Sequence, residues 1–416
     1  MPQKERNLGW PVTLAGTGIN LALGVLYTWS VISKSIPAEW GWSEFWRGFP
    51  YSVACLVFAL MMVPAGRIQD KIGPRWVATM GGIFTGLGLI LASRTTNVWL
   101  FTLGFGLLAG SGIGLGYASA TPPAVKWFPP SKTGMIAGIV VSGFGLASAY
   151  ISPLANFLIK RLGIQPSLLI FGGAFLVVVI LLSQILRNPP PDFKPQAPAA
   201  GGGGKAAVAS DYGWSDMLKT YQFYVLWVMY VFAAGAGLMI IGKLAKIVEI
   251  QAGVKTGFAF VALLAVGNAA GRIVAGMMSD KIGRTRTMLV VFLLQAILIY
   301  CLRYIDSSGA FTIVSMLIGF NYGANLSVFP SITKDFYGLK NFGVNYGLVF
   351  TAWGVGSIVL TQISGRVYDA TLVAAKASGA AQPAGNFNLA YTIAAVLLVV
   401  ASALTFTMRP PKPRTA

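Results

Sequence analysis

A single arginine in this sequence stands where a charge is costly. Arg272 lies about two thirds of the way along the apolar run GFAFVALLAVGNAAGRIVAGMMSD. At the centre of a membrane-spanning helix a charged side chain costs at least ~2.5 to 3.5 kcal/mol, and it turns toward the protein interior or a water-filled cavity. A guanidinium presents a planar fork of donors that matches a carboxylate bidentately, so an isolated intramembrane arginine reads as an anion receptor. The competing reading is an arginine that snorkels to the interface or pairs with a neighbouring helix. The twelve acidic residues all fall in loops or near the ends of apolar runs, so the counter-charge is expected from a ligand. Asn268, one helical turn earlier on the same face, would orient the guanidinium, bond the ligand or make a polar contact between helices. Tyr27, Tyr117 and Tyr322 offer hydroxyl donors and ring faces, or ordinary packing and interfacial anchoring. Trp353 and Phe350 read as packing or gate residues that line the site, keep it dry and so strengthen its one ion pair. One cation suits one negative charge. A dianion would leave a carboxylate uncompensated in a low dielectric, at several kcal/mol, which favours monocarboxylates over oxalate.

Such residues need long apolar helices to hold them. Of 416 residues, 55% are hydrophobic and 10% charged, and mean hydropathy is +0.69, whereas an ordinary soluble domain is about a quarter charged. A water-soluble globule and a disordered scaffold are both excluded. With about 20 apolar residues per span, the length holds roughly a dozen transmembrane helices and leaves none for a large soluble domain. Twelve stretches can be placed at roughly 9 to 36, 46 to 66, 75 to 93, 98 to 122, 134 to 160, 166 to 187, 221 to 248, 256 to 279, 287 to 304, 309 to 331, 343 to 368 and 387 to 408. The N-terminal MPQKERNLGW opens into a run too long for a signal-peptide core and reads as the first span. The fold expected is all-α: residues 1–187 as a six-helix bundle, 188–220 with PPPDFKPQAPAAGGGGK as a flexible linker on the cytoplasmic side, and 221–416 as a second bundle.

The two halves repeat. Gly66, Asp70, Lys71, Ile72 and Gly73 return 210 residues later as Gly276, Asp280, Lys281, Ile282 and Gly283; Gly145 and Ser148 return as Gly354 and Ser357. Internal repeats of this size mark carriers whose bundles rock about a site between them. In the two repeated loops, Arg67, Asp70, Lys71 and Arg75, and Asp280, Lys281 and Arg284, would clamp helix ends in one conformation and release them in the other; plain topogenic charge is the equal alternative. The excess of basic residues, 31 Lys and Arg against 12 Asp and Glu, sits in short loops, so it speaks for membrane topology and against nucleic acid. Lys and Arg number 19 on the side of the termini and linker and 11 on the other, so both termini are expected in the cytoplasm, with the chain an integral protein of the inner (plasma) membrane. With no histidine and only Cys55 and Cys301, both in apolar runs, neither a disulfide framework nor a metal cluster is expected, and no nucleophile or paired carboxylates stand ready for an enzyme. GSGIGLG lacks the strand and the Lys-Ser/Thr of a phosphate loop. No cofactor is expected.

The GRIQDKIGPR and GMMSDKIGR loops resemble those of the major facilitator superfamily, and the likeness covers essentially the whole chain. Within it, GVLYTWSV, GIGLGYASATPPAVKWFP, NAAGRIVAGMMSDKIGR and NYGLVFTAWG resemble the oxalate/formate antiporter branch and its monocarboxylate transporter relatives. The resemblance implies a carrier of small organic anions such as lactate, pyruvate or formate that works by alternating access. It puts Arg272 on the substrate-carboxylate arginine, and Tyr117 and Tyr322 on aromatic positions that line the site. It departs at Trp353, where oxalate carriers hold a lysine, and at Asn268, where animal proton-coupled carriers hold an aspartate. The function expected is monocarboxylate transport coupled to a proton, with the small anion, the proton and the lipid bilayer as partners. Anion exchange of the oxalate/formate type, and a transporter-derived sensor without net flux, are the alternatives.

Overall fold

The computed structural model describes residues 7–129, 132–190, 193, 211–338, 340–379 and 383–411. Twelve helices among them are long and apolar enough to cross a membrane: α1 (Gly9–Lys34), α2 (Glu44–Gln69), α3 (Pro74–Ala92), α4 (Val98–Lys126), α5 (Met135–Leu162), α6 (Ile164–Ser183), α7 (Tyr221–Ala252), α8 (Gly257–Ile282), α9 (Arg284–Tyr304), α10 (Ser308–Tyr337), α11 (Phe342–Ala377) and α12 (Asn388–Thr407). No strand occurs among the described residues, as expected where lipid leaves every backbone group to be satisfied within the helix itself.

Three details depart from the apolar pattern. Around Tyr27, α1 tightens into a 3₁₀ turn over Gly24–Thr28. α4 carries a π-helical stretch, Thr102–Ala109, a distortion frequent at functional sites. α11 continues nine residues past the apolar limit at 368, because the good helix formers of ATLVAAKA keep the helix going after apolarity fails. Within the expected linker, 191–192 and 194–210 lie outside the described residues. Residues 211–220, by contrast, dock on the α10–α11 corner: the Tyr212 N–H donates to the Tyr337 carbonyl at 3.0 Å, and the Tyr212 carbonyl accepts from the Asn341 and Asn345 amides at 3.0 Å each.

The repeated loops owe their glycines to a tight turn. Gly73 (φ 87°, ψ 159°) and Gly283 (φ 93°, ψ 154°) adopt a region that side chains disfavour, which lets α2 pass directly into α3 and α8 into α9. Glycine also sets the depth of the tightest helix contact, α8 against α10. A Cβ on Gly267 would lie 2.0 Å from the Met316 carbonyl oxygen, and one on Gly271 1.9 Å from that of Phe320. Gly319 and Gly323 meet Leu264 and Asn268 as closely from the other side. Small residues four apart on both partners let the two backbones touch. Between the first six helices and the last six, α2 packs on α11 and α5 on α8. These contacts are close at Gly354 and Gly365 and stop near Gly347; farther toward the linker end, a Cβ on Gly66, Gly138 or Gly343 meets nothing within 4 Å.

Gly271→Ala forces α8 away from α10 and should destabilise the purified protein by about 1–3 kcal/mol, read as a lower melting temperature in detergent. Gly309→Ala, in open space, should leave it unchanged.

Candidate functional site

Asn268 and Arg272 sit one turn apart on α8 and face inward; Arg272 is 7% exposed. Its Nε donates to Asn268 Oδ1 at 3.1 Å, and its Nη1 to the Val141 carbonyl of α5 at 2.7 Å. The second bond is possible because Gly145 makes room: a Cβ there would lie 3.3 Å from the guanidinium carbon. Two buried donors then remain without a hydrogen-bond partner among the described residues, Arg272 Nη2 and Asn268 Nδ2. Leaving a buried donor unmade costs about 1–3 kcal/mol. Among the described residues no carboxylate pairs with Arg272.

The aromatic residues named from the sequence surround this group. Tyr117, on α4, meets the rings of Phe58 and Phe144 edge-on at 5.3 Å each. Tyr27 lies against Phe144 at 5.0 Å, and its hydroxyl is 2.7 Å from that of Tyr322. Tyr322 also accepts from Trp353 Nε1 at 2.8 Å. Phe350 stacks on Trp353 at 5.2 Å, and Phe58 touches both. Phe144 precedes Gly145, which faces the guanidinium, so these rings close around Arg272. The structure thus brings Arg272, Asn268, Tyr117, Tyr322, Tyr27, Trp353 and Phe350 into one cluster, with a difference of detail: the Tyr27 and Tyr322 hydroxyls are engaged with each other and with Trp353, not free to meet a ligand here. Sequence reasoning passed over Phe58, Phe144 and Tyr346, and met Gly145 as part of the internal repeat and not as part of the site. Tyr346 precedes Phe350 by four residues and Trp353 by seven, a helical spacing that would have placed it on the same face.

The repeated loops hold unlike partners. Arg284 spans Asp280 Oδ1 at 2.5 Å and Asp335 Oδ2 at 2.8 Å. Arg75 instead donates to Gln184 Oε1 at 2.6 Å. Arg67, Lys71 and Lys281 are exposed, and the Asp70 side chain lies outside what the structure describes. Lys243, counted with the outer charges although it falls inside the stretch placed at 221 to 248, is buried within α7 against Glu44.

A match to the Major Facilitator Superfamily covers residues 14–361 and, again, 251–416. The chain is 28% identical over 361 residues to the uncharacterized MFS-type transporter YhjX of Escherichia coli (strain K12), covering 86% of this chain and 88% of that one. It is 27% identical over 344 residues to the oxalate:formate antiporter of Oxalobacter formigenes, with 80% and 79% covered, and 22% identical over 405 residues to monocarboxylate transporter 13 of Rattus norvegicus, with 96% and 89% covered. Among solved structures, a bacterial homolog of the human lysosomal transporter Spinster, inward-facing and unoccupied, superposes with a TM-score of 0.71 at 18% identity over 97% of both chains. That likeness concerns the fold.

Tyr322→Phe strips Trp353 Nε1 and the Tyr27 hydroxyl of a shared partner and should cost about 1–3 kcal/mol of stability. Tyr27→Phe leaves the Trp353 bond intact and should cost less; equal melting temperatures for the two variants would contradict the shared partner.

Proposed function

The chain belongs to the Major Facilitator Superfamily, and we propose that within it the protein carries small monocarboxylates, such as lactate or pyruvate, across the membrane together with a proton, by alternating access. One observation carries this reading: among the described residues the buried Arg272 guanidinium bonds neutral acceptors, and its Nη2 and the neighbouring Asn268 Nδ2 have no hydrogen-bond partner. Two adjacent donors suit the two oxygens of one carboxylate. The apolar walls from Phe58, Phe144 and Phe350 suit a monoanion, since a second carboxylate would face rings and cost several kcal/mol. The oxalate:formate antiporter and monocarboxylate transporter relatives support the chemical class.

In this reading the anion takes the free side of Arg272, Tyr117 lines the pocket, and Tyr27, Tyr322 and Trp353 close it over. The halves 1–187 and 221–416, joined through 188–220, then rock along the α2–α11 and α5–α8 contacts. The linker end, with the larger share of Lys and Arg, faces the cytoplasm with both termini. Arg284, bound to Asp280 and Asp335, acts with Lys281, Arg67, Asp70, Lys71 and Arg75 as the conformational switch. A second reading, anion exchange, has an observation in its favour. The chain has no histidine, and Glu44, the buried acid among the described residues, is held by lysines away from Arg272, so a co-transported proton would have to travel with the cargo.

Arg272→Lys keeps the charge and loses the fork. Uptake of lactate or pyruvate into liposomes should fall at least about tenfold, and wild-type rates in that variant would refute the assignment. Uptake into unloaded vesicles driven by an inside-alkaline gradient supports symport; uptake that ignores the gradient and needs an internal anion supports exchange.

A further inference from the structure

The end of the molecule opposite the linker holds charges that the Arg272 site does not use. Glu44 opens α2 and is 3% exposed. Its Oε1 accepts from Lys243 Nζ at 2.7 Å and its Oε2 from Lys246 Nζ; Lys243 also donates to the Glu44 carbonyl at 3.0 Å. Both lysines belong to α7; the side chain of Lys243 is 1% exposed and that of Lys246 23%. Asp369 of α11 accepts the backbone N–H groups of Glu44 and Phe45 at 2.9 and 3.0 Å, so its charge is directed at the start of α2. Lys34 of α1 pairs with Glu249 of α7 at 3.2 Å. Arg47 turns to the Trp42 and Ser33 carbonyls, and Tyr368 lies under Lys246. Lys34, Glu44, Arg47, Lys246, Glu249 and Asp369 line a cavity of about 500 Å³.

The ion pairs of Glu44 and Lys34 join the first six helices to the last six. At the linker end, the ion pairs among the described residues stay within the linker or within the C-terminal half. The molecule is fastened at one end, and alternating access requires α2 to part from α7 there. Glu44 then leaves with α2, while Lys243 and Lys246 stay on α7 with no carboxylate between them. Lys243 stands six residues beyond Gly237, which packs on the Tyr322 ring, or about 9 Å farther out at 1.5 Å per residue. A bare cation at that depth calls for compensation.

We propose that Lys243 and Lys246 form a second anion site, masked by Glu44 in this conformation, which captures the small carboxylate at the mouth opposite the linker before it passes to Arg272. This rests on the carrier reading above. Glu44 is an internal stand-in for the cargo: each is a single carboxylate competing for the same ammonium groups, so closing the mouth returns Glu44 to the lysines and displaces the anion inward.

The test uses liposomes of determined orientation, with half-saturation for lactate, pyruvate and formate measured from each face. In Lys243→Gln the value at the face opposite the linker should rise about tenfold, with a smaller rise in Lys246→Gln, and the linker face should not change. A change common to both faces, or none at either, overturns the capture site. Lys246→Gln alters a partly exposed side chain and serves if Lys243→Gln does not fold. Masking is read separately from spin-label distances between Glu39→Cys and Ser378→Cys on a Cys301→Ser background: Glu44→Gln should lengthen them, and an unchanged distribution overturns the mask. A wild type that moves no carboxylate defeats the carrier reading alone, and the label distances still judge the mask.

Discussion

A guanidinium closed in among helices, with neutral oxygens as its acceptors among the described residues, sets the terms for much of this molecule. In a low dielectric such a charge is tolerated only when its surroundings are held still and its remaining donors have somewhere to point. The holding is done by backbone. Glycines at 267 and 271 press α8 onto α10, which fixes the angle from which Arg272 enters the interior, and Gly145 clears the surface of α5 so that the Val141 carbonyl can be reached. Aromatic rings from α1, α2, α4, α5, α10 and α11 complete the enclosure and keep water from screening the charge.

Much of this arrangement was legible in the sequence. Arg272 stood out because a charge in an apolar run is costly, the twelve spans followed from run length, and Tyr27, Tyr117, Tyr322, Phe350 and Trp353 do gather around it. What was not legible is tertiary. The Val141 carbonyl is separated from Arg272 by 131 positions, and nothing in either segment alone announces the pairing, although Gly145 was visible as part of the internal repeat. The 3₁₀ turn at Tyr27 and the π-helical stretch of α4 arise from packing, because their apolar sequences permit a regular helix. The partners of Lys243, inside the seventh stretch, and of Asp369, one residue past the eleventh, were hidden because they lie on another helix; both charges are spent on α2 and its Glu44.

The two ends of the molecule are built on different principles. Opposite the linker, ionic contacts tie the halves together. At the linker end the close approaches between α2 and α11 cease, and charged groups such as Arg284 bind within one half. Ionic contacts can be broken and remade without repacking a core, which suits a surface that must separate, while interlocked glycines such as those of α8 and α10 suit one that must not.

The bond from Arg272 to Val141 ties a buried guanidinium on one half of the chain to a main-chain oxygen on the other. On the carrier reading proposed above, that bond makes a vacant protein its own brake: the idle guanidinium holds the opposing wall, and a guest that takes its open donors and then draws it away from Val141 lets the walls slide. Futile empty strokes would be slowed by the very group that rewards a laden one, so tightness against leakage and readiness for cargo would come from the same hydrogen bond.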